Sequence, residues 1–181
     1  MTAPSAEPMF STPRYATAPS RRPALYRVLV AQDAALATTL LDHPAPTLLL
    51  SLGGELSAVV EHEQLPSSEA LYLRLHALLD QAQAGTCVQA IGDEVFVWQV
   101  HRVARQAGLL GDEIELFRQG ARRRLYCVHC TTLQEIGAET ESTCGHCGVR
   151  LLVREHFSQR LGAYMGVCCD PDHPLATAVQ P

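Results

Sequence analysis

Long apolar runs are missing from this 181-residue sequence; none approaches the ~20 residues that a membrane span needs. The N-terminal stretch MTAPSAEPMFSTPRYATAPSRRP has no apolar centre of the kind a secretory signal carries. The expected compartment is therefore the reducing cytoplasm, where neighbouring cysteines are not held as disulfides. Positive charge is scarce as well. With 14 Lys and Arg against 19 Asp and Glu, and a net charge of −5, the chain offers no broad basic face to nucleic acid. Only Arg122–Arg124, near Arg118, is locally basic, and it reads as a solvated strand entry. Phosphate-binding signatures are absent too. Gly53 and Gly54 follow a strand-like run in SLGGEL, but without a G-x-G-x-x-G turn or a G-x-x-x-x-G-K-[ST] loop. No internal repeat, no nucleophile–base pair and no open metal site can be read from the sequence, so chemistry by this chain alone is not expected.

What is present is an ordinary globular composition, 47% hydrophobic and 18% charged, enough for one compact domain and a small appendage. Residues 1–23, rich in Pro, Ser, Ala and Thr, read as a flexible or extended arm. Met9, Phe10, Pro13 and Tyr15 are the arm residues suited to docking in a groove. Residues 24–120 alternate strands and helices. Strands are expected at 24–31, 46–52, 86–92 and 113–119. Asp33 caps a short helix stopped by Pro44 and Pro46. Ser67 or Ser68 caps a helix over 67–85 with a Leu71, Leu75, Leu78, Leu79 stripe, and Asp93 caps a helix closing at Gly108. This order predicts an α/β fold: a small, mainly parallel sheet with helices on its faces. Asp93 and Glu94 stand at the carboxyl end of a strand, where open α/β sheets bind ligands, but two acids would repel a pyrophosphate, and capping is the simpler reading. His76 and His101 read as ordinary helix residues.

Residues 121–181 hold the densest chemistry. Cys127/Cys130 and Cys144/Cys147 are two C-x-x-C pairs separated by thirteen residues. That spacing is the one two tight turns need to close four thiolates about one ion. Gly145 and Gly148 suit such turns. Four sulfurs leave no open coordination position, so the expected site is structural, a zinc ribbon holding Zn2+. Iron, held rubredoxin-fashion, is the alternative. His129 and His146 fall inside the turns and are not needed as ligands. Cys87 reads as a buried inert thiol. Cys168 and Cys169 read as a structural or exposed pair; a second metal site with His156 or His173 is the alternative.

Two resemblances follow from these residues. VQAIGDEVFVWQVHRVARQAGLLGDEIELF resembles the last strand–helix–strand of ferredoxin-reductase-type nucleotide domains, with Gly92, Gly108, Glu115 and Phe117 in comparable places. Where that family has Cys-Gly-Pro, this chain has Ile91-Gly92-Asp93, so the likeness is to a degenerate scaffold. CGHCGVRLLVREHFSQRLGAYMGVCCDPDHP resembles the DmmA-like small subunit of bacterial dimethylamine monooxygenase, through the four cysteines and Arg154, His156, Phe157, Ser158, Arg160, Leu161, Gly162, Ala163, Tyr164, Met165 and Gly166. The resemblance implies a multi-subunit enzyme that uses NADPH and O2 to convert dimethylamine to methylamine and formaldehyde. It also implies that haem, FMN, a 2Fe-2S cluster and tetrahydrofolate sit on partner subunits, with this chain a non-catalytic zinc-ribbon member. The alternatives from other classes are a rubredoxin-like electron carrier and a zinc-ribbon nucleic-acid module. No nucleic acid and no membrane is expected as partner. A partner interface is expected at Arg154, His156, Phe157, Arg160, Tyr164 and Met165, residue types enriched at interface centres. The competing reading has Phe157 and Leu161, four apart, packing a helix onto the ribbon.

Overall fold

The computed structural model describes residues 11–20, 23–42, 44–56 and 60–174. They fall into two compact units, residues 14–122 and residues 123–174 together with 11–13. Met9 and Phe10 lie outside the described residues.

The first unit is an all-parallel sheet of five strands, β1 (Tyr26–Ala31), β2 (Thr47–Ser51), β3 (Glu61–Gln64), β4 (Thr86–Gly92) and β5 (Ile114–Arg118), in the order β3-β2-β1-β4-β5. The central strands are mostly apolar because both faces are covered, with Arg27 of β1 and Gln89 of β4 as buried polar exceptions. On one face Leu29, Ala31, Leu49, Ile91 and Phe117 pack with Ala34, Ala37 and Leu40 of a 3-10 helix, Ala34–Leu40. Asp33 caps that helix through the Ala35 N–H. Two α-helices, α1 (Ser68–Leu79) and α2 (Glu94–Gln106), pack on one another and on the sheet. The α/β reading of the sequence holds.

Two details differ from the sequence-based expectation. β3, EHEQ, was not foreseen: it is a polar edge strand, and its residue types are depleted in strands. α1 stops at Leu79, not Gly85, because its apolar stripe of Leu71, Leu75 and Leu79 ends there and Asp80 to Ala84 are exposed. Gly85 instead takes φ +92 in the turn entering β4. α2 ends as expected with a left-handed Gly108 (φ +97), whose N–H reaches Arg105 O while Leu109 N–H reaches back to Ala104 O.

Part of the N-terminal stretch lies on the first unit. Tyr15 Oη accepts from Trp98 Nε1 at 3.0 Å, its ring faces Arg118 at 5.1 Å, and the Ala16 N–H donates to Leu116 O at 2.8 Å.

The second unit is also a five-stranded sheet, β7-β6-β10-β9-β8, formed by β6 (Arg123–Cys127), β7 (Leu133–Ile136), β8 (Glu141–Thr143), β9 (Arg150–Ser158) and β10 (Ala163–Cys168). Its pairs are antiparallel except β6 with β10. Residues 157–161 are therefore not helical. Phe157 lies on β9 opposite Tyr164 of β10, and the i,i+4 spacing of Phe157 and Leu161 comes from a hairpin. Gly166 sits where an added Cβ would lie 3.0 Å from both Leu125 and Leu151, so close packing demands glycine. Among the described residues no helix is long and apolar enough to cross a membrane.

Candidate metal centre

Each cysteine pair occupies a turn between two strands, and the two turns share one hydrogen-bond plan. In the first, Thr131 N–H donates to Cys127 O (2.8 Å) and Cys127 N–H to Thr132 O (2.9 Å). In the second, Gly148 N–H donates to Cys144 O (2.9 Å) and Cys144 N–H to Val149 O (2.9 Å). The plan requires a left-handed residue one place after the second cysteine. Gly148 supplies it at φ +71 without steric penalty, whereas Thr131 does so at φ +63, a strained geometry of about 1–2 kcal/mol. Gly145 is not in that region.

The turns bring all four Sγ atoms within 4.8 Å of one another. Cys127 and Cys147 stand 3.8 Å apart and Cys130 and Cys144 3.6 Å apart, each contact crossing between the turns. A tetrahedron with metal–sulfur bonds of about 2.3 Å has edges of about 3.8 Å, so the quartet fits one tetrahedral ion. None of the four is in a disulfide; Cys127 and Cys144 are buried and the others half-buried. Burial pushes the Cys127 thiol up to about 12, against N–H donors from Cys130 and His129. Cys130 is drawn down to about 5 by the Thr132 hydroxyl and then the Thr132 N–H. Crowded sulfurs that cannot all carry charge unaided, yet already receive N–H groups, form a donor set for a cation. Four sulfurs also fill the shell of that cation.

His129 and His146 are exposed on the turns. Among the described residues the quartet is the group that gathers three or more potential ligands; Cys168 and Cys169 are not joined by His156 or His173. Cys168 contacts Asp170 O at 3.1 Å, and Cys169 is exposed. Cys87 is half-buried, and desolvation raises its pKa, which makes it a poor nucleophile.

The residues singled out for a partner surface divide in two. Phe157 is 1% exposed and Tyr164 9%, their rings 5.1 Å apart and nearly perpendicular. Arg123 lies 5.0 Å over the Tyr164 ring. These two aromatics pack within their own unit. Arg154, His156 and Arg160 are exposed, and Met165 is half-buried.

Sequence reasoning missed one contact of catalytic type. Ser51 Oγ and His62 Nε2 are 2.8 Å apart. Ser51 is 0% exposed, however, so no substrate reaches the hydroxyl, and the bond satisfies a buried polar group between β2 and β3. The pair was invisible because β3 itself was.

The crevice between β1 and β4, where the strand order reverses, is closed by its own side chains. Gln32 Nε2 donates to Asp93 Oδ2 (2.9 Å), and Asp93 N–H donates to Gln32 Oε1 (2.8 Å). Arg122 reaches the same Asp93 oxygen through Nε (2.8 Å) and Nη2 (2.7 Å). The other Asp93 oxygen caps α2 through the Phe96 N–H (2.9 Å). A Cβ at Gly92 would lie 2.8 Å from Gln32 and Phe96. Glu94, 2% exposed, sits 3.4 Å from Arg118.

Comparison with known proteins gives three likenesses. Residues 124–167 match the family described as the dimethylamine monooxygenase subunit DmmA-like C-terminal domain. The haem-dependent oxidative N-demethylase delta subunit of Ectopseudomonas mendocina (strain ymp) is 41% identical over 173 residues, covering 95% of this chain and 95% of the relative. Among solved structures, a phthalate dioxygenase reductase, described as a modular structure for electron transfer from pyridine nucleotides to 2Fe-2S, aligns with a TM-score of 0.41 at 12% identity. That alignment covers 66% of this chain and 46% of the reductase, so the chain spans less than half of the reductase's length.

Proposed function

The chain belongs to the family of the haem-dependent oxidative N-demethylase delta subunit, and on that premise we propose that it is a non-catalytic accessory subunit of an NADPH- and O2-dependent dimethylamine monooxygenase, with its ribbon closed by Zn2+. The observation that carries the reading is the sulfur quartet: four convergent donors make a closed, structural coordination shell. Cys127, Cys130, Cys144 and Cys147 would hold the ion, which supplies folding free energy to the ribbon. The interior of the first unit supports the same division of labour. Among its described residues the serine of the serine–histidine contact is fully buried, and its strand-end crevice is filled by Gln32, Asp93 and Arg122. On this reading, haem, FMN, a 2Fe-2S cluster and tetrahydrofolate are carried by partner subunits, and dimethylamine is demethylated there. The compartment is the cytoplasm.

The test is purification together with the other subunits, followed by elemental analysis. The expected result is a stable complex and one zinc per chain, with no thiolate-to-metal absorption in the visible. An iron-loaded, coloured chain that stays alone would favour the rubredoxin-like carrier instead, because iron takes the same four thiolates.

A second expected outcome concerns nucleotide. Titrated with NADPH up to millimolar concentration, the isolated chain should give no saturable signal. A nucleotide phosphate at the β4–α2 turn would have to displace Arg122 and Gln32 from Asp93 and face two carboxylates. Tight binding by calorimetry would overturn the accessory reading.

A further inference from the structure

The outer edge of β9 carries a gap. β8 pairs with β9 only from Arg150 to Leu152, and β8 is the last strand of the sheet. Beyond that point the outer edge is met twice by main chain from elsewhere in the unit. The Val153 N–H donates to Thr140 O at 2.8 Å. Four residues on, the Phe157 N–H donates to Ser11 O at 2.7 Å, and the Ser11 hydroxyl donates to Phe157 O at 2.8 Å. Between these fixed points, Arg154, Glu155 and His156 have β10 on their inner side and no strand on the outer one among the described residues. A groove of about 510 Å³ runs there, lined by Leu152, Val153, Arg154, Glu155 and His156.

The same stretch is a bulge. Phe157 is opposite Tyr164 and Val153 is opposite Gly166, so the three residues 154–156 face the single residue Met165. A bulge of this kind bends a strand and re-aims its side chains. Here it presents Arg154 and His156 to solvent, with exposed Arg160 at the hairpin tip. None of these three has an ion-pair partner among the described residues, in a chain whose net charge is −5. Glu155 is the one opposing charge in the groove.

We propose that the β9 edge at residues 154–156 receives an extended, acidic segment of another subunit of the enzyme, added to the sheet as a short strand. This inference rests on the accessory-subunit reading above and names the contact through which it would operate. An open main-chain edge is satisfied by main chain, and positions on either side of this one are already satisfied that way. The side chains flanking the groove set the sign of the partner: the Arg154 guanidinium favours a carboxylate, and a His156 ring N–H can donate to one. Phe157 and Tyr164 act from below, holding the hairpin rigid rather than touching the partner.

The test is amide hydrogen exchange on the full chain, alone and in complex with the co-expressed remaining subunits. Exchange of the 154–156 amides should slow at least tenfold in the complex. A double Arg154→Glu, His156→Glu variant should bind the other subunits at least tenfold more weakly with unchanged metal content. Glu155→Pro, which removes an N–H from the stretch, should weaken binding likewise. Should that proline disturb the sheet, the exchange data on the unaltered chain still decide. Co-purification without any change at 154–156 sinks the edge proposal and leaves the subunit reading intact. Failure to co-purify at all sinks both. Protection already present in the isolated chain, lost on removing residues 1–10 or on diluting a dimer, would assign the edge to the chain itself and overturn the proposal.

Discussion

Replacing Cys144 by serine should empty the metal site and unfold the turns of the ribbon, while the α/β unit keeps its helices. Cys144 is 1% exposed and Cys127 0%, so the sulfurs belong to the interior of their unit as much as Leu125, Val149 and Leu151 do. The unit is small, and apart from Phe157 and Tyr164 its buried side chains are few and of modest size. Such a unit has little burial to set against chain entropy. A structural zinc site is worth about 10–16 kcal/mol of apparent binding free energy, as large as a whole domain's usual net stability. Serine keeps the size but offers a hydroxyl that is not a thiolate, and three sulfurs leave the ion open to water and chelators. The expected result is metal content below a tenth of the unaltered chain, rapid exchange across β6–β9, and near-normal helical dichroism from α1 and α2. Metal content equal to that of the unaltered chain would remove Cys144 from the ligand set.

How much of this could be read beforehand depends on how local each cause is. The quartet was legible because the C-x-x-C turn is a contiguous motif whose spacing states its geometry. The caps at Ser67 and Asp93 were legible for the same reason: each side chain accepts from an N–H three residues on. What escaped was non-local. β3 is a strand only because β2 pairs with it; its own residues, EHEQ, argue otherwise. The 154–167 segment offered Phe157 and Leu161 at helical spacing, and only the tertiary pairing of β10 with β9 and β6, with Gly166 packed against Leu125 and Leu151, makes it a hairpin. The left-handed Thr131 was hidden because threonine seldom adopts that conformation, and the second turn had a glycine to point to it. Arg27 was not singled out in the sequence, because nothing local in YRVLVA marks its arginine as one sealed inside the sheet.

Replacing Arg27 by alanine should destabilise the α/β unit severely and leave the ribbon's metal untouched. Arg27 is 0% exposed. Its Nε donates to Thr47 Oγ1 (2.9 Å), and its Nη1 donates to Leu40 O (2.5 Å) and Gln89 Oε1 (2.8 Å). Gln89 Nε2 passes the chain on to Glu115 Oε2 (2.6 Å), which also receives the Ser20 N–H. One side chain on β1 thus ties the end of the 3-10 helix, β2, β4 and β5 through acceptors 13, 20 and 62 residues away. Desolvation lowers its pKa from the ordinary guanidinium value, but a guanidinium still keeps its proton in any protein. Alanine would leave a cavity and orphan a buried carbonyl and a buried amide oxygen. Each orphaned buried acceptor costs about 1–3 kcal/mol and the cavity adds to that, so the loss is about 3 kcal/mol or more. At roughly 4–8 °C per kcal/mol for a unit near 100 residues, the melting temperature should fall by at least ~12 °C. Arg27→Lys should recover only part, since an ammonium cannot span the three acceptors with a rigid fork. An apolar pair, Arg27→Met with Gln89→Met, should recover more than either single change, because it removes donors and acceptors together. Metal content should stay at the unaltered value in all of them, the reverse of the Cys144→Ser pattern. A melting temperature within about 2 °C of the parent would mean that packing alone holds β1 in register and that the buried arginine contributes nothing net.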